Sequence, residues 1–189
     1  MKSESIRVLA FGVAIIALVS CSASPERRAE VAEQEADRLL KTTEPLNAFS
    51  NFELKALMLS KDVQADQAKV EVSKQLDTKL TETLLPLLDG WRDASVHEGT
   101  PRTLLIQPEL VALRVVSGGA RFWAGGFAGD SFVDMNLILT ESATGKTIAN
   151  VRINREASAI SGAWSIGKSD KNLLDYIVDI ARQYLVDNH

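Results

Sequence analysis

The chain has 189 residues, 46% of them apolar and 24% charged, with a formal net charge of −4. That balance is ordinary globular usage, enough for one domain with a real core. A mildly acidic chain without a long basic run lacks the charge that neutralises phosphates, so nucleic acid is excluded as an expected partner.

Lys2 and Arg7 open the chain with positive charge, and Val8 to Val19 follows as an unbroken apolar run. A membrane span needs about twenty such residues, so the run has the length of a signal-peptide hydrophobic region instead. Leu18-Val19-Ser20-Cys21 comes next, and Cys21 is the chain's one cysteine. This segment resembles the signal and lipobox of bacterial lipoproteins. The resemblance implies a signal peptide over residues 1–20 and cleavage between Ser20 and Cys21. It further implies diacylglyceryl transfer to the Cys21 thiol and fatty (palmitate) acylation of the new amino group. Loss of residues 1–20 removes Lys2, Glu4 and Arg7, which leaves a net charge of −5. Two or three acyl chains, at about 0.8 kcal/mol per buried CH₂, hold a protein on a bilayer where one chain does not. Ser22 stands where aspartate is the usual inner-membrane retention signal in enterobacteria, which points to the outer membrane, periplasmic face.

Residues 21–44 are expected to form a lipidated tether and residues 45–189 a single domain. Glu26 to Lys41 is charge-rich with few large apolar side chains and reads as solvated; a helix supported by Glu35 and Arg38 at i,i+3 is the alternative. From Phe49 the residues Phe52, Leu54, Ala56 and Met58 alternate with Glu53, Lys55 and Leu57, predicting a half-buried strand. Over Asp62 to Leu88 the period changes: Ala65, Ala68, Val72, Leu76, Leu80, Leu84 and Leu87 share one helical face. Pro86 and Gly90 predict its end.

Thr103 to Val116 is strand-like, and Pro108 within it predicts an edge strand or a break. Ser131 to Thr140 alternates, with Val133, Met135, Leu137 and Leu139 on one face. Thr147 to Arg155 alternates again through Ala149, Val151 and Ile153, and the Ala143-Thr144-Gly145-Lys146 turn makes the pair a β-hairpin. The last helix, Asp170 to Val186 capped by Ser169, carries a stripe of Leu173, Leu174, Ile177, Ile180, Ala181 and Tyr184 that can cover it. The expected fold is α+β: a mainly antiparallel sheet with two amphipathic helices packed on one face.

The run from Gly118 to Ser131 (GGARFWAGGFAGDS), with the Thr144-Gly145-Lys146 turn of the following hairpin, resembles an uncharacterised family of bacterial lipoproteins. The likeness spans roughly Pro45 to Leu185 and implies a domain of unknown function with no catalytic residues to carry over. More distantly, the element order is similar to the α/β domain of the TolB N-terminal part, the curli secretion lipoprotein and the lipoprotein activators of penicillin-binding proteins. That is a likeness of fold, and a fold does not confer a function.

Chemistry-bearing constellations are sparse. With two histidines and the one cysteine assigned to lipid, a His/Cys zinc site cannot be assembled, and no metal or cofactor is expected. His97 lacks a nucleophile signature around it and reads as a loop histidine. Asp134, Asn136, Asn150, Arg152 and Asn154 lie on the polar side of the hairpin, either as a binding face or as an ordinary wet sheet face. The glycine run matches neither a dinucleotide fingerprint nor a phosphate loop. Arg121, Phe122, Trp123 and Phe127 within it are candidate partner contacts if exposed, with core packing as the alternative. Trp91 and Trp164 read as core or near-core. The expected function is that of a non-enzymatic, membrane-tethered binding or assembly module with an envelope protein as partner. An envelope hydrolase and a subunit of an oligomeric secretion-type assembly are the alternatives.

Overall fold

The computed structural model describes residues 25–94, 100–114, 131–157 and 169–189. In chain order these form α1 (Pro25–Asp37), a single 3-10 turn (Leu46–Ala48), β1 (Asn51–Leu54), β2 (Met58–Leu59), α2 (Lys61–Gln64) and α3 (Gln67–Ala94). Then come β3 (Thr103–Arg114), β4 (Ser131–Glu141), β5 (Thr147–Ala157) and α4 (Ser169–Asn188). The architecture is α+β. β3, β4 and β5 form an antiparallel meander, and β1 and β2 add to β3 in parallel.

The strands keep a period of two except at two register shifts, one between Leu110 and Ala112 of β3 and one between Leu139 and Thr140 at the hairpin end. Leu104, Ile106, Leu110 and Leu113 of β3, Val133, Met135, Leu137 and Leu139 of β4, and Ala149, Val151 and Ile153 of β5 are all buried. That face is covered by α4 and α3. The six residues read as the stripe of the last helix are buried, together with Val178 and Leu185. Each fully buried Leu, Ile or Val side chain contributes about 1.5–3 kcal/mol relative to exposure. Gly145, at φ 70°, turns the β4–β5 hairpin, and its amide donates to the Glu141 carbonyl at 2.9 Å.

Four expectations are corrected. First, the charge-rich stretch read as tether is helical over Pro25–Asp37 and docked on α4. Ala32 and Ala36 are buried there, and Arg28 bridges to Asp175 at 2.9 Å and Asp179 at 3.3 Å. The small alanines let two helices approach closely, so a helix with almost no large apolar residues still has a tertiary place. The helical layer thus has three long members, with α4 between α1 and α3.

Second, the strand expected from Phe49 to Met58 is broken. Ala56 and Met58 are exposed, while Leu57 and Leu59 pack against the core. At the break the Leu57 amide leaves the ladder and donates to Asp77 Oδ1 of α3 at 2.8 Å. One residue of offset then reverses which side chains face inward.

Third, Pro108 sits in an interior strand. Lys55 N donates to Ile106 O and Ser60 N to Leu110 O, so the even-numbered residues of β3 present their backbone groups to β1 and β2. Pro108 therefore faces the gap between those two strands, where no ladder donor is required of it.

Fourth, α3 passes through Pro86 and Gly90 to Ala94. Leu84 and Leu88 are buried on either side of the proline. Past the glycine, Trp91 meets Phe52 edge-on at 5.4 Å and stacks on His189 at 3.9 Å. These contacts offset the roughly 3 kcal/mol penalty of an interior proline. Trp91 is near-core, as its sequence suggests.

The segment between α1 and β1 is fastened at the hairpin end of the sheet. Arg102 Nη1 bonds Glu44 at 3.0 Å, Arg102 Nε bonds Glu141 at 2.7 Å, and Lys146 bonds Glu44 at 3.0 Å. Arg102 and Lys146 hold the Glu44 carboxyl down at about 2, and the Glu141 carboxyl is lowered first by the Thr144 hydroxyl and then by Arg102. The folded state therefore binds fewer protons than the unfolded chain between the ordinary carboxyl value of 4.5 and about 2. Stability from Glu44 is present above pH 4.5 and lost as the pH falls through that window. Thermal melts at successive pH values should show Glu44→Gln with a shallower acid limb than the parent. An unchanged limb would remove this carboxylate as its source.

Candidate partner-binding face

The second face of the sheet carries the residues of opposite parity. Register places Glu109 beside Asn136 and Asn136 beside Arg152; Asp134 lies between Ala112 and Asn154, and Ile138 between Gln107 and Asn150. Arg114, Phe132 and Glu156 form one end of the same face. Among the described residues no helix covers it.

Four of its polar side chains pair with one another. Arg152 grips Asp134 with two parallel bonds, Nε to Oδ1 at 2.7 Å and Nη2 to Oδ2. The Asp134 side chain is only 10% exposed while that of Arg152 is 63% exposed, so the guanidinium roofs the carboxylate. Ion pairing with Asp134 raises the Arg152 value further, keeping the guanidinium charged. Asn136 Nδ2 donates to Glu109 Oε2 at 3.0 Å. Both oxygens of Asp134 are thus occupied as acceptors in a charge-assisted fork. To take a proton from a substrate, a carboxylate so held would have to break the pair.

Half-buried Phe132, Ile138 and Leu105 interleave with these charges. At the Arg114 end lies an open groove of about 360 Å³, lined by Arg114, Phe132, Asp134, Asn154, Arg155 and Glu156 among others. The Arg114 guanidinium lies 5.2 Å from the centre of the Phe132 ring, and that of Arg155 lies 5.2 Å from the centre of the Tyr176 ring. Such a surface can recognise a partner by shape and paired charge.

The structure brings Asp134, Asn136, Asn150, Arg152 and Asn154 onto one face, as their alternation implied. Glu109, Gln107, Phe132 and Arg114 join them there. Phe132 shares the parity of Asp134 on β4, whereas the β3 residues join through the β3–β4 register, and Arg114 through a shift between Leu110 and Ala112, neither of which periodicity reveals. Ser20, Cys21, His97, Arg121, Phe122, Trp123, Phe127 and Trp164 lie outside the described residues. The strand ends flanking residues 115–130, Arg114 and Ser131, are at the groove end of this face. Among the described residues no group of three or more His, Cys, Asp or Glu side chains is arranged to hold a metal ion. No described helix is long and apolar enough to cross a membrane.

No known protein family profile matches the chain, and no curated protein matches it. Among solved structures it is similar to a variant form of the PelC dodecamer from Paraburkholderia phytofirmans, with a TM-score of 0.47 and 12% identity over 78% of this chain and 95% of that one. A second PelC dodecamer structure from the same organism gives 0.44 and 10% identity over 78% of this chain and 95% of that one.

Proposed function

We propose that this protein is a bacterial lipoprotein, anchored through Cys21 in the outer membrane on its periplasmic face, whose domain serves as a non-enzymatic binding or assembly module of the cell envelope. The observation that carries the reading is the N-terminal pattern: Lys2 and Arg7, the apolar run from Val8 to Val19, then Leu18-Val19-Ser20-Cys21. Membership in the uncharacterised lipoprotein family belongs to the same proposal. The paired polar face of the sheet supports a binding role, since its one shielded carboxylate is engaged by Arg152. An envelope protein is the proposed partner, with Arg121, Phe122, Trp123 and Phe127 as the contact residues of the β3–β4 connection. Anchoring confines the domain to a layer beside the membrane and raises its effective concentration for neighbours there.

The direct test is the mass of the mature N-terminal peptide together with the fate of Cys21→Ser. The parent should begin at Cys21 and carry the mass of two or three acyl chains, and the variant should remain unprocessed and unacylated. A variant processed and membrane-bound like the parent would overturn the anchor. Envelope crosslinking of the anchored protein then tests the binding role, which repeated failure to recover any protein neighbour would refute.

A further inference from the structure

The docked first helix shortens the connection between anchor and domain. Four peptide steps separate Cys21 from Pro25, where α1 begins. At 3.3–3.6 Å each, they span at most ~14 Å, against ~80 Å for a connection running free to residue 44.

α1 is fastened along its length and beyond. Arg28 bridges to Asp175 and Asp179, Glu35 meets Arg155 at 3.2 Å, and Ala32 and Ala36 are buried. Farther on, Tyr184 donates to the Leu40 carbonyl at 2.9 Å and the Thr43 amide donates to the Ile148 carbonyl at 2.9 Å. Read together, these contacts show that α1 and α4 run in the same direction and β5 against them. The start of α1 therefore lies at the end of the domain formed by the first turns of α4, the last residues of β5, the start of β4 and the end of β3. Ser131 pairs with Ala157 and Phe132 with Arg114 at that end. The hairpin turn, with Glu141 and Lys146, lies at the opposite end of β4. The eleven residues of that strand put roughly 35 Å between the two.

We infer that the end of the domain bearing Arg114, Phe132, Arg155, Tyr176 and Glu156 rests on the phospholipid headgroups, and that the hairpin end, with Glu44, Arg102 and Lys146, points away from the bilayer. This rests on the anchor reading above and adds to it the surface that meets lipid. The side chains at the near end suit such a place. Two guanidinium groups there, Arg114 and Arg155, each lie over an aromatic ring, and Arg stems with aromatic bodies partition to the boundary between headgroups and acyl chains.

The test uses the lipidated full chain, purified from membranes and reconstituted in vesicles of phosphatidylethanolamine and phosphatidylglycerol with a gadolinium-chelating headgroup lipid. Spin labels are placed one at a time at the exposed positions of Glu156→Cys and Lys146→Cys. Relaxation of the label at 156 should exceed that at 146 by about tenfold or more, because the ~35 Å between the ends enters at the inverse sixth power. Equal relaxation at the two positions, as in a domain lying flat, or the reverse order would overturn the inference. Arg28→Glu, which opposes the α1–α4 ion pairs and frees a longer connection, should shrink the difference while the hairpin and α4 stay folded by circular dichroism. An undiminished difference in a variant with α1 undocked would show that the short connection does not set the orientation. Vesicle flotation and intact mass separate the two readings. A protein that carries acyl mass and floats but gives equal labels leaves the anchor standing and the orientation refuted. One without acyl mass removes both.

Discussion

Leu137→Ala should lower the stability of the domain by about 2–5 kcal/mol, while Ile138→Ala, one residue along, should cost about 1 kcal/mol or less. Leu137 is fully buried on β4, between Pro108 of β3 and Val151 of β5, beneath the helical layer. Truncation there removes transfer free energy and leaves a cavity that a sheet pinned on both sides cannot collapse to fill. Ile138 points to the face that no described helix covers, and water or neighbouring side chains can occupy the space it leaves. In a domain of this size a loss of about 3 kcal/mol lowers the melting temperature by roughly 6–12 °C. Urea unfolding of the two variants measures the contrast. Equal midpoints would mean that the strand does not present one buried and one open face, and the candidate binding surface would go with it.

The same alternation explains how much of this fold is legible in the sequence. β4, β5 and α4 are readable because each carries a period over nine or more residues and buries its large apolar side chains chiefly on one side, Ile148 at the hairpin irregularity being the exception. Val133 to Leu139 and Leu173 to Tyr184 therefore face the core as their spacing implies. Where local pattern and tertiary partner diverged, the pattern misled. Ala56 and Met58 continue an alternation that the Asp77 side chain interrupts from a helix twenty residues away. Gly90 looks like a helix stop, yet Trp91 beyond it finds Phe52 and His189. α1 was the largest loss, since its docking uses two alanines and ion pairs to Asp175, Asp179 and Arg155, groups distant in sequence that no local periodicity announces. Of the candidate face, the hairpin half was visible and the β3 half was not. Glu109 and Arg114 join it only through a register that includes an irregularity after Leu110.

Tyr184 joins the helix layer to the segment that follows α1, and its substitution should separate two contributions. Its ring is fully buried and its hydroxyl donates to the Leu40 carbonyl at 2.9 Å. Tyr184→Ala should cost about 3–5 kcal/mol through the cavity it opens. Tyr184→Phe keeps the ring and should cost about 1 kcal/mol for the lost hydrogen bond, since Leu40 is exposed and its carbonyl can turn to water. Burial also pushes the phenol up to about 12 from its ordinary value of 10. Between those values the folded state holds a proton that the unfolded chain has released. The stabilisation is therefore complete below pH 10 and is lost as the pH rises toward 12. The parent should lose stability steeply over that alkaline interval, and Tyr184→Phe should lose less, although it starts lower. Parallel alkaline curves for the two proteins would assign the loss to other groups and leave Tyr184 as a packing residue alone. Non-parallel curves would assign the alkaline loss to this buried phenol, the same group whose hydroxyl meets the Leu40 carbonyl at the end of the α1 connection.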